Sequence, residues 1–287
     1  MKSKTHSADA QWTMVLDSST SWWNINLRAL ITFRYLLFLF VWRDFIALYK
    51  QTILGPLWFI IQPLLMTIVF SVIFGNIAGL SPTGVPSFLF YLSGITAWTY
   101  FADCVNKTSA TFTTNVHIFS KVYFPRLLVP ISVVLSNIMK LIIQYSMFIV
   151  FLCYYLLTGS DLKPNLWMLA TPVLIIIMAG MGLGFGLIIS SLTTKYRDLQ
   201  NLVGFGVQLM MFMTPVVYPL SKLPPDLAKI AAYNPMTSIV ELFRFAYLGN
   251  GTFSVWQLGY SALFTLIMLL VGMAIFTRVE KNFMDTV

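Results

Sequence analysis

Apolar runs long enough to cross a bilayer recur six times in this chain, separated by short segments that carry nearly all of its charge. A helix needs roughly 20 apolar residues to cross about 30 Å of hydrocarbon. The runs fall at Leu57–Ala78, Pro86–Cys104, Leu127–Leu157, Leu166–Leu192, Leu199–Tyr218 and Gln257–Thr277. Charged residues make up 10% of the 287 positions and apolar residues 58%, whereas a soluble domain carries about 25% charged residues. So few charges cannot cover a surface facing water, so lipid is the solvent. The predicted class is all-α and integral to the membrane, with six spans in one domain over residues 27–287 after a tail at 1–26.

Orientation follows from the basic residues. With the N-terminus inside, thirteen of the 18 lysines and arginines fall on inside segments, four fall outside, and Lys140 lies within a span. That is a strong positive-inside bias, and it predicts both termini in the cytoplasm. The net charge of +8 then reads as topology and attraction to anionic headgroups, not as nucleic-acid binding. No cleavable signal peptide is visible, because the first apolar stretch begins near Ala29 and Arg34 interrupts it.

Two segments fit neither span nor simple loop. Leu27–Lys50 is apolar but broken by Arg28, Arg34, Arg43, Asp44 and Lys50. Arg28, Arg43 and Lys50 share one helical arc and Arg34 does not, which favours an amphipathic helix along the cytoplasmic interface. The alternative is a seventh span that buries Arg34 and moves the N-terminus outside. Pro219–Trp256 has a helix start at Pro224-Pro225-Asp226, a break at Asn234-Pro235 and a stop at Gly249-Asn250-Gly251. Ile239, Leu242, Phe243 and Ala246 recur at helical spacing between them. Two short helices dipping into the outer leaflet fit this pattern, and so does an amphipathic extracellular loop. Glu241 and Arg244, spaced i,i+3, are placed to pair as a local brace.

The chain contains no Gly-x-x-x-x-Gly-Lys-Ser/Thr phosphate loop, so no standard nucleotide site of its own is expected. Two cysteines, Cys104 and Cys153, and two distant histidines, His6 and His117, suit neither a disulfide framework nor a metal site. Gly180, Gly182, Gly184 and Gly186 form two i,i+4 pairs, a spacing that lets helix backbones approach closely. Packing is the favoured role, with a hinge or conduction surface as the alternative. Lys140 is the one charge deep in a span, which costs roughly 2.5–3.5 kcal/mol on insertion scales. It either faces a polar conduit or phosphate-bearing head group, or snorkels to the interface. Trp58, Phe59, Phe70 and Phe74 on the first span and Tyr91, Trp98, Tyr100 and Phe101 on the second suit an aromatic-lined path for sugars. The same rings also suit interfacial anchoring.

The run from Trp42-Arg43-Asp44-Phe45 through Tyr49-Lys50-Gln51-Thr52-Ile53-Leu54-Gly55-Pro56-Leu57-Trp58-Phe59 to Gln62-Pro63-Leu64 closely resembles the ABC-2 type permeases that export O-antigen, capsular polysaccharide and teichoic acid. The resemblance continues in Phe119-Ser120-Lys121-Val122-Tyr123-Phe124-Pro125-Arg126, Lys195-Tyr196-Arg197-Asp198-Leu199, Met213-Thr214-Pro215-Val216-Val217-Tyr218 and Tyr233-Asn234-Pro235-Met236. It covers nearly the whole chain from residue 25, and the N-terminal tail is outside it.

The resemblance implies a homodimer around a central conduit, served by two copies of a separate cytoplasmic ATPase subunit that binds ATP and Mg. The chain itself then holds no cofactor and performs no covalent chemistry. The implied substrate is an undecaprenyl-diphosphate-linked glycan in the bacterial inner membrane. Leu54 and Gly55 would lie at the cytosolic mouth, and Pro225, Tyr233, Pro235, Glu241 and Arg244 would belong to an extracytoplasmic gate. Trp58, Phe59, Phe70, Phe74 and Lys140 are the conduit candidates. Arg43, Asp44, Tyr49, Lys121, Phe124 and Arg126 are the candidates for coupling to the ATPase. A same-superfamily exporter of drugs, lipids or small amphiphiles, and an integral membrane transferase, are the competing readings. The latter needs a polar catalytic cluster at the interface, and none is evident.

Overall fold

The computed structural model describes residues 31–47, 49–50, 52–119, 124–196 and 198–283, and all regular structure among them is helical. Helix α1 is Arg34–Ala47. A 3-10 turn at Gly55–Leu57 leads into α2, Trp58–Phe70, which continues as a π-helix over Ser71–Ile77. Next come α3, Ser87–Ser109, and two single-turn helices, α4 at Thr111–Thr114 and α5 at Val116–Phe119. α6 is Leu128–Leu157, and α7, Thr171–Thr193, follows a 3-10 turn at Leu166–Ala170. α8 is Leu199–Met213, α9 Pro225–Ala232, α10 Pro235–Leu248 and α11 Val255–Phe283.

Among the described residues, four stretches are both long and apolar enough to cross a membrane: Gly55–Ile77, Leu128–Leu157, Leu166–Thr193 and Val255–Glu280. They match four of the six expected runs closely. The other two differ from expectation for identifiable reasons.

The second run was expected to end at Cys104, but α3 continues to Ser109. Asp103 and Lys107 remain helical because each finds a partner on α6 inside the protein. α3 is the central helix, packed against α2, α6, α7, α8 and α10. Protein therefore surrounds it where lipid would surround an outer span, and its polar content is tolerated.

The fifth run was expected to reach Tyr218, but α8 stops at Met213. Proline disfavours the helical conformation in the residue before it. Thr214 precedes Pro215 and is accordingly extended, with φ −98° and ψ 144°. The 15 residues of α8 rise only about 22 Å at 1.5 Å each.

The alternating glycines set the helix spacing. A Cβ on Gly180 would lie 2.8 Å from Thr265, and one on Gly184 would lie 2.8 Å from the Met268 backbone, both on α11. A Cβ on Gly182 would lie 2.5 Å from the Cys104 Cβ on α3, and one on Gly186 would strike Thr108 on the same helix. The two i,i+4 pairs thus serve opposite faces of α7, and the packing role is the one the structure displays.

α9 and α10 begin and end where the sequence signals placed them. The Asn234 side chain accepts from the Met236 N–H, Pro235 takes the first turn, and Gly249 closes α10 in the left-handed region at φ 70°. Of the 14 residues of α10, 12 are buried, Ile239, Leu242, Phe243 and Ala246 among them. α10 is thus part of the bundle and not a surface loop.

Gly182→Val is expected to destabilise the protein by about 1–3 kcal/mol through overpacking. Gly204→Ala, inside α8 and with a Cβ that would meet nothing within 4 Å, is expected to cost nothing and to stabilise by up to about 1 kcal/mol. Thermal unfolding of the detergent-solubilised protein compares them, and equal losses would remove the special role of the α7 glycines.

Candidate functional site

Functional candidates gather at the two ends of the bundle. At the end predicted to be cytoplasmic, Gly55 adopts φ 53° with open space around it, so the turn needs glycine for its backbone alone. Leu54, Leu57 and Trp58 around this turn are surface residues, at 38%, 53% and 47% exposure. Phe59 points inward. Its ring lies 6.3 Å from Phe45, which lies 5.3 Å from Tyr49, so aromatic contacts tie the end of α1 to the start of α2. Further along, Phe70 is buried and meets Phe74 and Tyr91 edge-on at 5.4 Å and 6.3 Å. Of the four aromatic conduit candidates, then, Trp58 is exposed on the single chain, Phe74 is half-buried, and Phe59 and Phe70 face its interior.

Lys140 is not alone. Its ammonium donates to the Asp103 carboxylate at 2.7 Å. One turn further along α3, Lys107 donates to the Asn137 side-chain oxygen, also at 2.7 Å. Ser132 donates to Asp44 of α1 at 3.3 Å, and Asp44 also holds Arg43 at 2.7 Å. Gln144 donates to the Phe59 carbonyl at 3.3 Å. Ser132, Ser136, Lys140 and Gln144 recur every four residues and form one polar stripe on α6, facing α1, α2 and α3. Sequence reasoning singled out Lys140 and missed the stripe. The signal was present in that four-residue period and in Asp103 and Lys107, spaced i,i+4 on the facing helix.

The other coupling candidates divide by burial. Arg43, Asp44 and Tyr49 are partly exposed, with the Arg43 guanidinium over the Phe40 ring at 4.7 Å. Phe124 is buried, edge-on to Phe40 at 5.4 Å. Arg126 is also buried. It donates to the Glu280 carbonyl of α11 at 3.1 Å and lies 3.9 Å from its carboxylate. Burial pushes the Arg126 guanidinium below its ordinary pKa, and Glu280 works against that shift. Lys121 lies outside the described residues.

α1 departs from the expected amphipathic pattern. Ile31, Tyr35, Phe38, Leu39 and Trp42 form an exposed apolar stripe, while Phe40 and Val41 are buried in the bundle. Its central charges are used in contacts with protein, as Asp44 shows.

At the opposite end, Glu241 and Arg244 of α10 do pair, at 3.5 Å, and both are almost fully buried. Arg244 also donates to the carbonyls of Pro215, Val216 and Phe90, and Glu241 accepts from the Thr252 N–H at 2.8 Å. Pro225 and Tyr233 are exposed and Pro235 is partly covered. A cavity of about 330 Å³ opens beside Glu241 and Arg244, bounded by Pro219–Ser221 and Gly249–Thr252.

A bundle of long apolar helices with charges matched across its interior defines an integral membrane protein. Residues 35–248, from the first turn of α1 to the last residue of α10, match the family described as ABC-2 type transporter, and the chain belongs to that family. It is 28% identical over 245 residues to an O-antigen export system permease protein of Klebsiella pneumoniae, covering 85% of this chain and 91% of that one. A protein of the same description from Myxococcus xanthus is 26% identical over 91% of this chain and 98% of its own length. A polysialic acid transport protein of Escherichia coli is 24% identical, over 79% of this chain and 87% of its own.

Lys140→Leu alone is expected to destabilise the protein by about 3 kcal/mol, because it strands the Asp103 carboxylate. The Asp103→Leu, Lys140→Leu double variant is expected to recover most of that loss. Thermal unfolding of the three variants against the wild type measures the coupling. A double variant no better than the single would show that Lys140 acts through something other than this pair.

Proposed function

We propose that the chain is the membrane permease of an exporter that carries a lipid-linked polysaccharide, O-antigen first among the candidates, across the bacterial inner membrane. One observation carries the reading: similarity spans nearly the full length of relatives described as O-antigen export permeases, at 91% and 98% of their chains. A shared membrane anchor alone would not extend so far.

In this reading there are six spans: α2 with its π-helical extension, α3, α6, α7, α8 with the extended residues after it, and α11. Both termini lie in the cytoplasm by the distribution of basic residues. α1 lies along the cytoplasmic interface, where its exposed apolar stripe meets acyl chains and its bundle side meets α6. α9 and α10 form the extracytoplasmic gate. Two copies enclose the path, and two copies of an ATPase subunit with its own phosphate loop, ATP and Mg dock beneath them. The undecaprenyl-diphosphate head of the substrate enters near Leu54 and Gly55.

Coupling runs through α1. ATP binding draws the ATPase pair together and pushes on the half-exposed Arg43, Asp44 and Tyr49. Phe124 and Arg126, being buried, transmit that push through their contacts with Phe40 of α1 and Glu280 of α11. Asp44 carries it to α6 through Ser132.

Affinity purification of the chain in mild detergent is expected to bring down a stoichiometric ATPase. ATP hydrolysis by that complex is expected to rise with added lipid-linked glycan and to ignore amphiphilic drugs. Absence of the ATPase would overturn the exporter reading. Stimulation by drugs alone would move the substrate to small amphiphiles.

A further inference from the structure

We propose that Arg244 is a positioning residue for the outer closure of the transport path, and that Gly94 keeps the space it occupies. This rests on the reading of α9 and α10 as the extracytoplasmic gate.

The need for Arg244 arises at Pro215. Once α8 ends there, the carbonyls of Pro215 and Val216 have left helical geometry inside the protein, where unpaired carbonyls are costly. The guanidinium answers both: one terminal nitrogen donates to Pro215 and the other to Val216 at 2.8 Å. The second nitrogen also reaches the Phe90 carbonyl at 3.4 Å, and the whole group lies 3.6 Å over the Phe90 ring. Glu241 balances the charge and is itself fixed by the N–H and hydroxyl of Thr252. The Arg244–Glu241 pair thereby joins four parts of the outer end: the head of α3, the turn after α8, α10 and the loop into α11.

Gly94 is shaped to this contact. A Cβ there would lie 2.8 Å from the Arg244 terminal nitrogen and 3.2 Å from the Val216 carbonyl oxygen. The planar fork suits several carbonyls at once, which a lysine ammonium on its flexible stem does not reproduce. The cavity beside Glu241 and Arg244 is walled on its other sides by Phe90 of α3 and by the connecting segments 219–221 and 249–252. The fork therefore has space beside it, and these loops can shift without repacking the apolar core. With the fork seated, the turn after α8 is held against α3 and the outer end is shut. With the fork displaced, that turn is free to part from α3.

The test uses the permease–ATPase complex in liposomes loaded with calcein, without ATP. Arg244→Lys keeps the charge and loses the fork, whereas Gly94→Ala keeps the arginine and pushes it from its seat. Each is expected to raise dye leakage about tenfold, as expected when the closed state loses a charge-assisted hydrogen bond. Gly182→Ala, where the added Cβ meets Cys104 of α3 at 2.5 Å, serves as a control for packing damage away from the pin. It is expected to lower the melting temperature without added leakage. Leakage at the wild-type level in both pin variants, or equal leakage in all three, would overturn the proposal. The gate reading is checked separately with Tyr233→Cys in a Cys153→Ser background, since Tyr233 is 75% exposed. Labelling by an impermeant maleimide in intact spheroplasts supports an extracytoplasmic gate. With such labelling and no leakage, the role of Arg244 alone falls. Labelling only after lysis overturns the gate reading, and the proposal with it.

Discussion

Gly180 and Gly184 let α11 approach α7, and Gly182 and Gly186 let α3 approach from the other side. The three long helices consequently lie closer than any side chain on α7 would permit. Lipid tails supply no hydrophobic drive for helices to associate, so this close packing must do much of the work. It also fixes the surroundings of α3. Enclosed by α7 on one side and by α2, α6, α8 and α10 elsewhere, α3 has little contact with lipid.

Polar groups on an enclosed helix must be paired within the protein. On the side of α1, Asp103 and Lys107 meet the stripe on α6, which continues through Ser132 to α1 and through Gln144 to α2. At the opposite end of α3, the Phe90 carbonyl and ring help seat Arg244. α3 thus carries contacts to both groups of candidate residues. A displacement of α1 at one end and of α10 at the other would each be felt by the same rigid element.

Much of the fold could be read directly from the sequence where lipid is the solvent. α6 was placed within one residue, because Pro125-Arg126 and Thr158-Gly159 bracket a long, mostly apolar run. α9 and α10 were legible from Pro225, Asn234-Pro235 and Gly249, which act through local backbone geometry. The misjudged ends are those decided by other parts of the chain. α3 outran its apolar segment because Asn137 and Lys140 lie opposite its polar end, and α8 fell short because Pro215 forbids the preceding turn. For the site, the Glu241–Arg244 pair was visible as i,i+3 spacing. Its carbonyl partners were not, since Val216 is 28 and Phe90 154 residues away in sequence. Nor does a charge reveal its own burial: Arg126, chosen as a surface contact, lies inside against Glu280.

The Asp103–Lys140 pair also bears on how the chain enters the bilayer. Lys140 alone is an unmatched charge within α6, and insertion scales penalise such a residue at a helix centre by roughly 2.5–3.5 kcal/mol. The two are 37 residues apart, on α3 and α6, which follow one another across the single-turn helices α4 and α5. The smallest stretch of chain in which both charges are neutralised is therefore the α3–α6 hairpin. A translocon that released α3 to lipid before α6 emerged would expose Asp103 and Lys107 to acyl chains. Released together, the two helices present a largely apolar exterior, with their charges already facing one another.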